Sequence, residues 1–231
     1  MNLLTSLKIK FKLILRFKTD LYSHDIFRFS KKNKNFIDFQ YALNLTQEIK
    51  PSDTFENKKF NLSVASKSIN EYVIMPNELF SFWKIIGNPT YKFKKGRSLK
   101  KGLITEEIGG GLCQVAGIIY HISIIAGLQI IERHNHSIDI YTDDTRFAPL
   151  GADASVVFGY KDLRIRNNFA FPIKFEISVI ENQISIRLLS TIKVEEKVLI
   201  FDTESNGNVI TANVTSEKGE KINQSVYIKQ T

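Results

Sequence analysis

The only cysteine of the chain, Cys113, lies two residues after a run of three glycines, Gly109 to Gly111. Apolar residues then recur at helical spacing as far as Ala126, so we predict a short buried helix that begins near Cys113 and ends before Gly127. A thiol reacts as its thiolate, and the exposed N–H groups of a helix N-terminus stabilise negative charge. The position therefore favours a nucleophilic cysteine. The competing interpretation is a small buried apolar side chain, the common state of a lone cysteine.

Two histidines that follow this helix, His134 and His136, could supply an imidazole to the thiol. We expect a strand from Leu128 to Arg133 that continues past Ser137 to Tyr141, so both rings would point the same way. An imidazolium nearby would lower the thiol pKa from its usual value of about 8.5. Either histidine could face the sulfur, and the other would orient it or pack.

The same spacing raises a metal alternative, because two imidazoles with Cys113 or Asp153 could hold one ion. No further ligand motif supports it, so we predict no metal ion and no cofactor. Asp153 is the carboxylate most suited to orienting an imidazole, although it could equally serve a turn or a cap. The glycine backbone could direct N–H groups at a developing oxyanion. Candidate contacts for substrate or oxyanion are Gly110, Gly111, Gln114, Arg133 and His134.

Several motifs occur in a fixed order along the chain: PNELFSFWKIIG, GGGLCQ, ERHNHS, GADASV and DLRIRN. From Leu62 to Leu189 the sequence resembles the VanW family of bacterial proteins. That family is named from glycopeptide-resistance gene clusters, and some related clostridial domains are associated with cysteine-dependent L,D-transpeptidation of peptidoglycan. The resemblance implies that Cys113 is the nucleophile, that His136 is its base, and that a peptidoglycan peptide or precursor is the partner. The family's usual proline-glycine pair is here Pro76-Asn77, and asparagine also suits a turn.

Two functions of different classes therefore remain open. The first is acyl transfer of the L,D-transpeptidase type. The second is a non-catalytic or metal-binding accessory protein of the envelope or of the response to glycopeptide antibiotics. Composition fits either, since 43% hydrophobic and 24% charged residues are ordinary for a globular chain of 231 residues. A single cysteine excludes an internal disulfide.

Basic charge is concentrated at the N-terminus. Residues 1 to 50 contain ten Lys or Arg and four Asp or Glu, a net of +6 out of +8 for the whole chain. Residues 1–22 interleave these cations with apolar residues and contain no signal-peptide or membrane-spanning stretch, so we expect a cytoplasmic protein or one bound peripherally at the inner membrane face. The segment is either a helix packed on the domain or an amphipathic helix on an anionic membrane. No motif that reads nucleic acid accompanies this segment, so nucleic acid is not expected as a partner.

The predicted fold class is α+β, with N-terminal helices, a central glycine-rich loop and buried helix, and a C-terminal antiparallel sheet. We divide the chain into a basic helical extension (1–50), a VanW-like domain (51–190) and a small β extension (191–231). Local patterns predict helices at Ile37–Lys50 and Leu62–Tyr72, a lysine-rich loop at Tyr91–Lys101, a loop through Asp143 and Asp144, a strand at Ala154–Phe158, and a hairpin of Phe171–Ile180 with Ile184–Leu188.

Overall fold

The structure is a computed structural model that describes residues 3–33, 35–100, 103–139 and 146–229. Within these ranges the helices are α1 (Leu3–Tyr22), α2 (Phe55–Ile69), α3 (Phe82–Ile86) and α4 (Leu112–Ile125). The strands are β1 (Lys31–Lys32), β2 (Tyr41–Glu48), β3 (Tyr72–Val73), β4 (Leu79–Ser81), β5 (Lys95–Lys100), β6 (Leu103–Ile108), β7 (Gln129–Glu132), β8 (Ile138–Asp139), β9 (Arg164–Arg166), β10 (Ile173–Ile180), β11 (Gln183–Ser190), β12 (Leu199–Asn206), β13 (Val209–Ser216) and β14 (Lys221–Lys229). The predicted α+β class is confirmed.

Helix α4 is the buried centre of the fold. Eleven of its 14 residues are buried, because its side chains are apolar on nearly every face. It contacts α2 and strands β2, β7 and β11. Gly127 ends the helix with φ +74°, and the N–H groups of Gly127 and Leu128 donate to the carbonyl oxygens of Ile124 and Ser123. The helix predicted after the glycines is thus confirmed at both ends.

One antiparallel sheet, in the order β10-β11-β2, packs beside α4. The predicted hairpin is confirmed: β10 and β11 pair from Ile173 with Ser190 to Ile180 with Gln183. The helix predicted at residues 37–50 is wrong, because residues 41–48 form β2 and pair along the whole of β11. Inward and outward side chains alternate in β2, with Leu43 and Gln47 buried, and this period of two fits a strand against a core.

Two further local predictions are wrong. The lysine-rich stretch expected to be a loop contains β5, which pairs with β6 in an antiparallel hairpin. Residues 154–158, expected to be a strand, lack regular structure apart from one bridge between Val157 and Lys161. Ala154 and Val156 are buried and Val157 is exposed, and the N–H of Ser155 donates to the carbonyl oxygen of His134 in an irregular segment.

The remaining sheets connect distant parts of the chain. Strands β4, β9 and β7 form one sheet, and β12, β13, β14 and β8 form another, in which β8 runs parallel to β14. Leu43, Val194 and Val214 belong to the same hydrophobic core as α4, so one core crosses the boundaries predicted at residues 50 and 190. Two predictions fall outside the described residues. They are the continuation of the strand beyond β8, at Ile140 and Tyr141, and the loop through Asp143 and Asp144.

Candidate active site

The glycine turn before α4 is fixed from two sides. The side chain of Asn61 is fully buried, donates to the carbonyl oxygens of Lys94 and Gly110, and accepts the N–H of Lys94. A Cβ on Gly110 would lie 2.3 Å from the carbonyl carbon of Gly96 in β5, so only glycine allows this approach. Gly111 caps the helix with φ +98°. These contacts hold the amino end of α4 in place.

Cys113 lies in the first turn of α4 and is partly exposed. Its Sγ is 3.7 Å from the carbonyl oxygen of Val156, to which the protonated thiol can donate. Among the described residues, the N–H groups of Gly111 and Cys113 have no protein acceptor, whereas the N–H of Gly110 donates to the carbonyl oxygen of Glu107. Two free donors beside the sulfur suit an oxyanion.

His136 connects the thiol to Asp153. Its Nδ1 donates to Asp153 Oδ2 at 2.7 Å, and its backbone N–H donates to the same oxygen at 2.8 Å. The ring also interacts with the Cys113 thiol, since each group shifts the pKa of the other. Because Nδ1 is engaged by the carboxylate, the nitrogen that meets the sulfur is Nε2. A thiol, an imidazole and a carboxylate therefore form one chain, the arrangement that activates a nucleophile.

The chain of contacts shifts all three pKa values. Burial lowers the pKa of His136, but hydrogen bonds to Asp153 and Cys113 outweigh it and raise that pKa to about 10. Burial raises the pKa of the Cys113 thiol, and the hydrogen bond and charge of His136 reverse this, so the thiol pKa is below its usual value. Burial also opposes ionisation of Asp153, yet His136 and Arg133 lower its pKa to about 2. The shifts favour a thiolate beside an imidazolium.

Asp153 is held by groups from three parts of the fold. Its Oδ1 accepts a hydrogen bond from Tyr227 at 2.5 Å and one from Arg133 at 2.9 Å. The backbone at Asp153 lies close to Gly117 of α4, where a Cβ would be 3.8 Å from the Asp153 Cα. Tyr227 comes from β14, outside the motifs of the sequence, and no local signal could have identified it.

Arg133 supports the site from behind Asp153. Its guanidinium donates to the Asp153 carboxylate and backbone, to the carbonyl oxygen of Gly151 and to Ser225 Oγ, and it stacks over the ring of Tyr120. The side chain is only 8% exposed. Its donors are occupied by the protein, so these contacts give no support to the predicted contact with substrate.

Two other predicted residues lie in different contacts. His134 does not share the environment of His136, because the chain leaves the strand between β7 and β8; its Nε2 is 3.0 Å from Glu132 Oε1. Gln114 is buried, and its amide donates to the carbonyl oxygen of Glu48 in β2. Neither contact involves the thiol, so of the predicted set the structure groups Cys113, His136 and Asp153, and Gly111 caps the helix that begins with Cys113 in its first turn.

Lys58 of α2 was not identified from the sequence, and it lies beside the glycine turn. A Cβ on Gly111 would be 2.8 Å from Lys58 Cγ. Burial and the nearby charge of Arg97 lower the pKa of Lys58 to about 8. Within the described chain it has no carboxylate partner. Its position became apparent only when α2 packed against the start of α4.

The part of the chain that the structure describes holds no group of three or more His, Cys, Asp or Glu side chains arranged to bind a metal ion. His121, the histidine inside α4, packs edge-on against Phe201 at 5.7 Å between ring centroids. Burial lowers its pKa to about 4, so it is neutral at pH 7. It has no part in the thiol chain.

Fold and site together define an α+β protein with a thiol–imidazole–carboxylate chain at the N-terminus of its buried helix. The chain belongs to the VanW family, because the family model described as VanW like protein matches residues 57–189, more than half of its length. It is 35% identical over 120 residues to the uncharacterized protein YoaR of Bacillus subtilis, which covers 51% of this chain and 38% of that protein. It is 33% identical over 115 residues to the vancomycin B-type resistance protein VanW of Enterococcus faecalis, which covers 49% of this chain and 42% of that protein.

The aligned part thus spans about two fifths of each of these relatives. All three residues of the thiol chain, Cys113, His136 and Asp153, lie inside the matched family region. Tyr227, which donates to Asp153, lies outside it. No solved structure matches the chain.

Proposed function

We propose that this chain is a cysteine-dependent acyltransferase that acts on a peptidoglycan peptide, in a reaction of the L,D-transpeptidase type. One observation carries the proposal: His136 is hydrogen-bonded to Asp153 and lowers the pKa of Cys113, which lies at the start of a buried helix. This arrangement gives a nucleophile, a proton carrier and a group that orients the carrier. A buried, purely structural cysteine has no need of an imidazole held by a carboxylate.

In the first half of the reaction, the Cys113 thiolate attacks the carbonyl carbon of an L-centre that is joined to a D-residue. A carbon–sulfur bond forms, and the oxyanion is stabilised by the free N–H groups of Gly111 and Cys113. The peptide carbon–nitrogen bond then breaks, and the His136 imidazolium gives its Nε2 proton to the departing amine. The products are a thioester on Cys113, a free D-residue and a neutral imidazole.

In the second half, an acceptor amine attacks the thioester carbonyl. His136 removes a proton from that amine through Nε2, while Asp153 holds Nδ1–H and stabilises the imidazolium that forms again. The carbon–sulfur bond breaks and the thiolate is restored. A new amide joins the two peptides, and no oxidant or other co-reactant is consumed.

The substrate class is supported by the family and by charge. The resemblance to VanW proteins implies a peptidoglycan peptide, and one relative is named for resistance to vancomycin. Lys58 adds a partly buried cation whose side-chain stem packs on Gly111 of the glycine turn. Such a cation suits a peptide that carries free carboxylates.

The test is the rate at which the thiol is alkylated as a function of pH. We expect a kinetic pKa well below the value of about 8.5 for free cysteine, and a rise towards that value in His136→Ala. Incubation with a synthetic stem peptide should then give a protein heavier by the acyl group, and Cys113→Ser should give none. A thiol that stays inert until the protein is denatured would contradict the proposal and favour the non-catalytic alternative.

A further inference from the structure

Helix α1 has two unlike faces, and one of them is fastened to the domain. The Arg16 guanidinium donates to both carboxylate oxygens of Glu132, at 2.8 and 2.7 Å, and Asp20 accepts a hydrogen bond from Arg164 at 2.6 Å. Ile9 packs on Gly159, where a Cβ would lie 3.1 Å from Ile9 Cγ2. These three contacts lie on one side of α1, so they fix its rotation and determine which face points outwards.

The outward face is apolar. Residues three or four apart share one side of a helix, so positions 4, 7, 11, 14, 18 and 21 lie together, opposite Ile9, Arg16 and Asp20. Leu4 is 65% exposed and Phe11 60% exposed. The exposed apolar residues at these positions are Leu4, Leu7, Phe11, Ile14 and Leu21, and position 18 is Lys18. A contiguous apolar stripe of this length on a protein surface marks an interaction site.

The charge around this stripe has a single sign. Lys8, Lys10, Lys12 and Lys18 are exposed, and none of them forms an ion pair within the described chain. The only carboxylate of α1 is Asp20, which is buried against Arg164. Lys12 lies one turn before Arg16, on the fastened side, so the outward surface of the helix presents an apolar stripe with three cations, Lys8, Lys10 and Lys18, and no anion.

We propose that α1 docks the protein on an anionic lipid membrane, with its apolar stripe in the headgroup region and its lysines on the lipid phosphates. Anionic lipid complements both features of this face, and the stems of lysines can lie along apolar surface with the charge at the interface. A second copy fits less well, because it would bring three more lysines against the first three. No helix in the described ranges is long and apolar enough to cross a membrane. The proposed docking does not depend on whether Cys113 is catalytic.

The test is co-sedimentation of the full chain with phosphatidylcholine vesicles that contain increasing amounts of phosphatidylglycerol. We expect binding to increase with the anionic fraction and to weaken as salt screens the lysines. Leu7→Asp/Phe11→Asp should weaken binding at least tenfold, because the apolar side chains of Leu7 and Phe11 no longer transfer from water into the membrane. Lys8→Gln/Lys10→Gln should weaken it about 25-fold, at about fivefold for each lysine.

The matched control is Ile180→Asp/Ile192→Asp, which changes two side chains of similar exposure, 67% and 56%, away from α1. It should bind vesicles as the unchanged chain does. A second measurement uses variants that are expected to bind normally. The tryptophan emission of Phe11→Trp should shift to shorter wavelength on anionic vesicles, whereas that of Ile180→Trp should not. Equal binding to neutral and anionic vesicles would overturn the proposal. So would a dimer that Leu7→Asp/Phe11→Asp dissociates, which would assign the face to a second copy.

Discussion

Two carboxylates in this molecule gather the same kinds of side chain, yet only one of them reaches the thiol. Asp153 binds Arg133 and His136, and Glu132 binds Arg16 and His134. Burial by itself would raise the pKa of both carboxylates. Their hydrogen bonds outweigh burial and lower the pKa of each to about 2. The composition of a cluster therefore does not tell what it does.

The difference is in what lies beyond each imidazole. The ring of His136 is held by Asp153 and lowers the pKa of the Cys113 thiol, so the Asp153 cluster can move a proton to and from a nucleophile. The Glu132 cluster instead connects α1 to the domain, because Arg16 belongs to that helix and Asp162 donates its backbone N–H to Glu132. We interpret the first cluster as chemical and the second as an anchor for the helix that we propose to bind membranes.

The two histidines give the largest expected contrast. His136→Gln should lower the rate of acyl transfer about a thousandfold, since it removes the group that carries the proton and stabilises the thiolate. His134→Gln should change that rate less than about threefold. The measurement is single-turnover formation of the thioester by mass spectrometry, with unfolding midpoints to show that both variants are folded. Similar losses in the two variants would abolish the distinction between the clusters.

The two carboxylates should separate rate from anchoring. Asp153→Asn should lower the alkylation rate of Cys113 at pH 7 about a hundredfold, because an amide no longer holds His136 as an imidazolium. Glu132→Gln should leave that rate within about twofold but lower the free energy of unfolding by about 2 kcal/mol, because Arg16 loses a charged hydrogen-bond partner. Denaturant titrations and alkylation kinetics of the same preparations measure both quantities. If Glu132→Gln slows alkylation as strongly as Asp153→Asn does, the clusters are chemically coupled.

The pH dependence of stability should give the smallest contrast. The folded pKa of His136 is raised to about 10, above its unfolded value of about 6.5, so its contribution is complete below pH 6.5 and is lost as pH rises towards 10. The pKa of Asp153 is lowered to about 2, so its contribution is complete above about pH 4 and is lost as pH falls towards 2.

We therefore expect the stability advantage of the unchanged chain over His136→Gln to be greatest between about pH 4 and 6.5, and to shrink by about 1 kcal/mol or more by pH 10. The matched variant His134→Gln should show no comparable decline. Urea unfolding at four or five pH values measures the difference. An advantage that grows with pH above 7 would show that His136 is neutral in the folded protein.

How much the sequence could predict depended on the range of the interactions involved. The buried helix α4 and the β10–β11 hairpin were predicted correctly, since periodicity and turn residues are local properties. Strand β2 was mistaken for a helix because its identity depends on pairing with β11, more than 130 residues away. The apolar residues 154–158 were mistaken for a strand because burial alone does not supply a neighbouring strand.

For the site, the sequence by itself determined that a lone cysteine follows a glycine turn at a helix start, and that the motifs around it are those of a VanW protein. It also supplied two histidines, and the resemblance to the family favoured His136 although their spacing alone did not distinguish them. Only the tertiary structure decided that His136 meets Cys113 and that Arg133 and Tyr227 hold Asp153. The physical reason is that a helix start and a glycine turn follow from neighbouring residues, whereas a side chain's partner follows from the packing of segments that are distant in sequence.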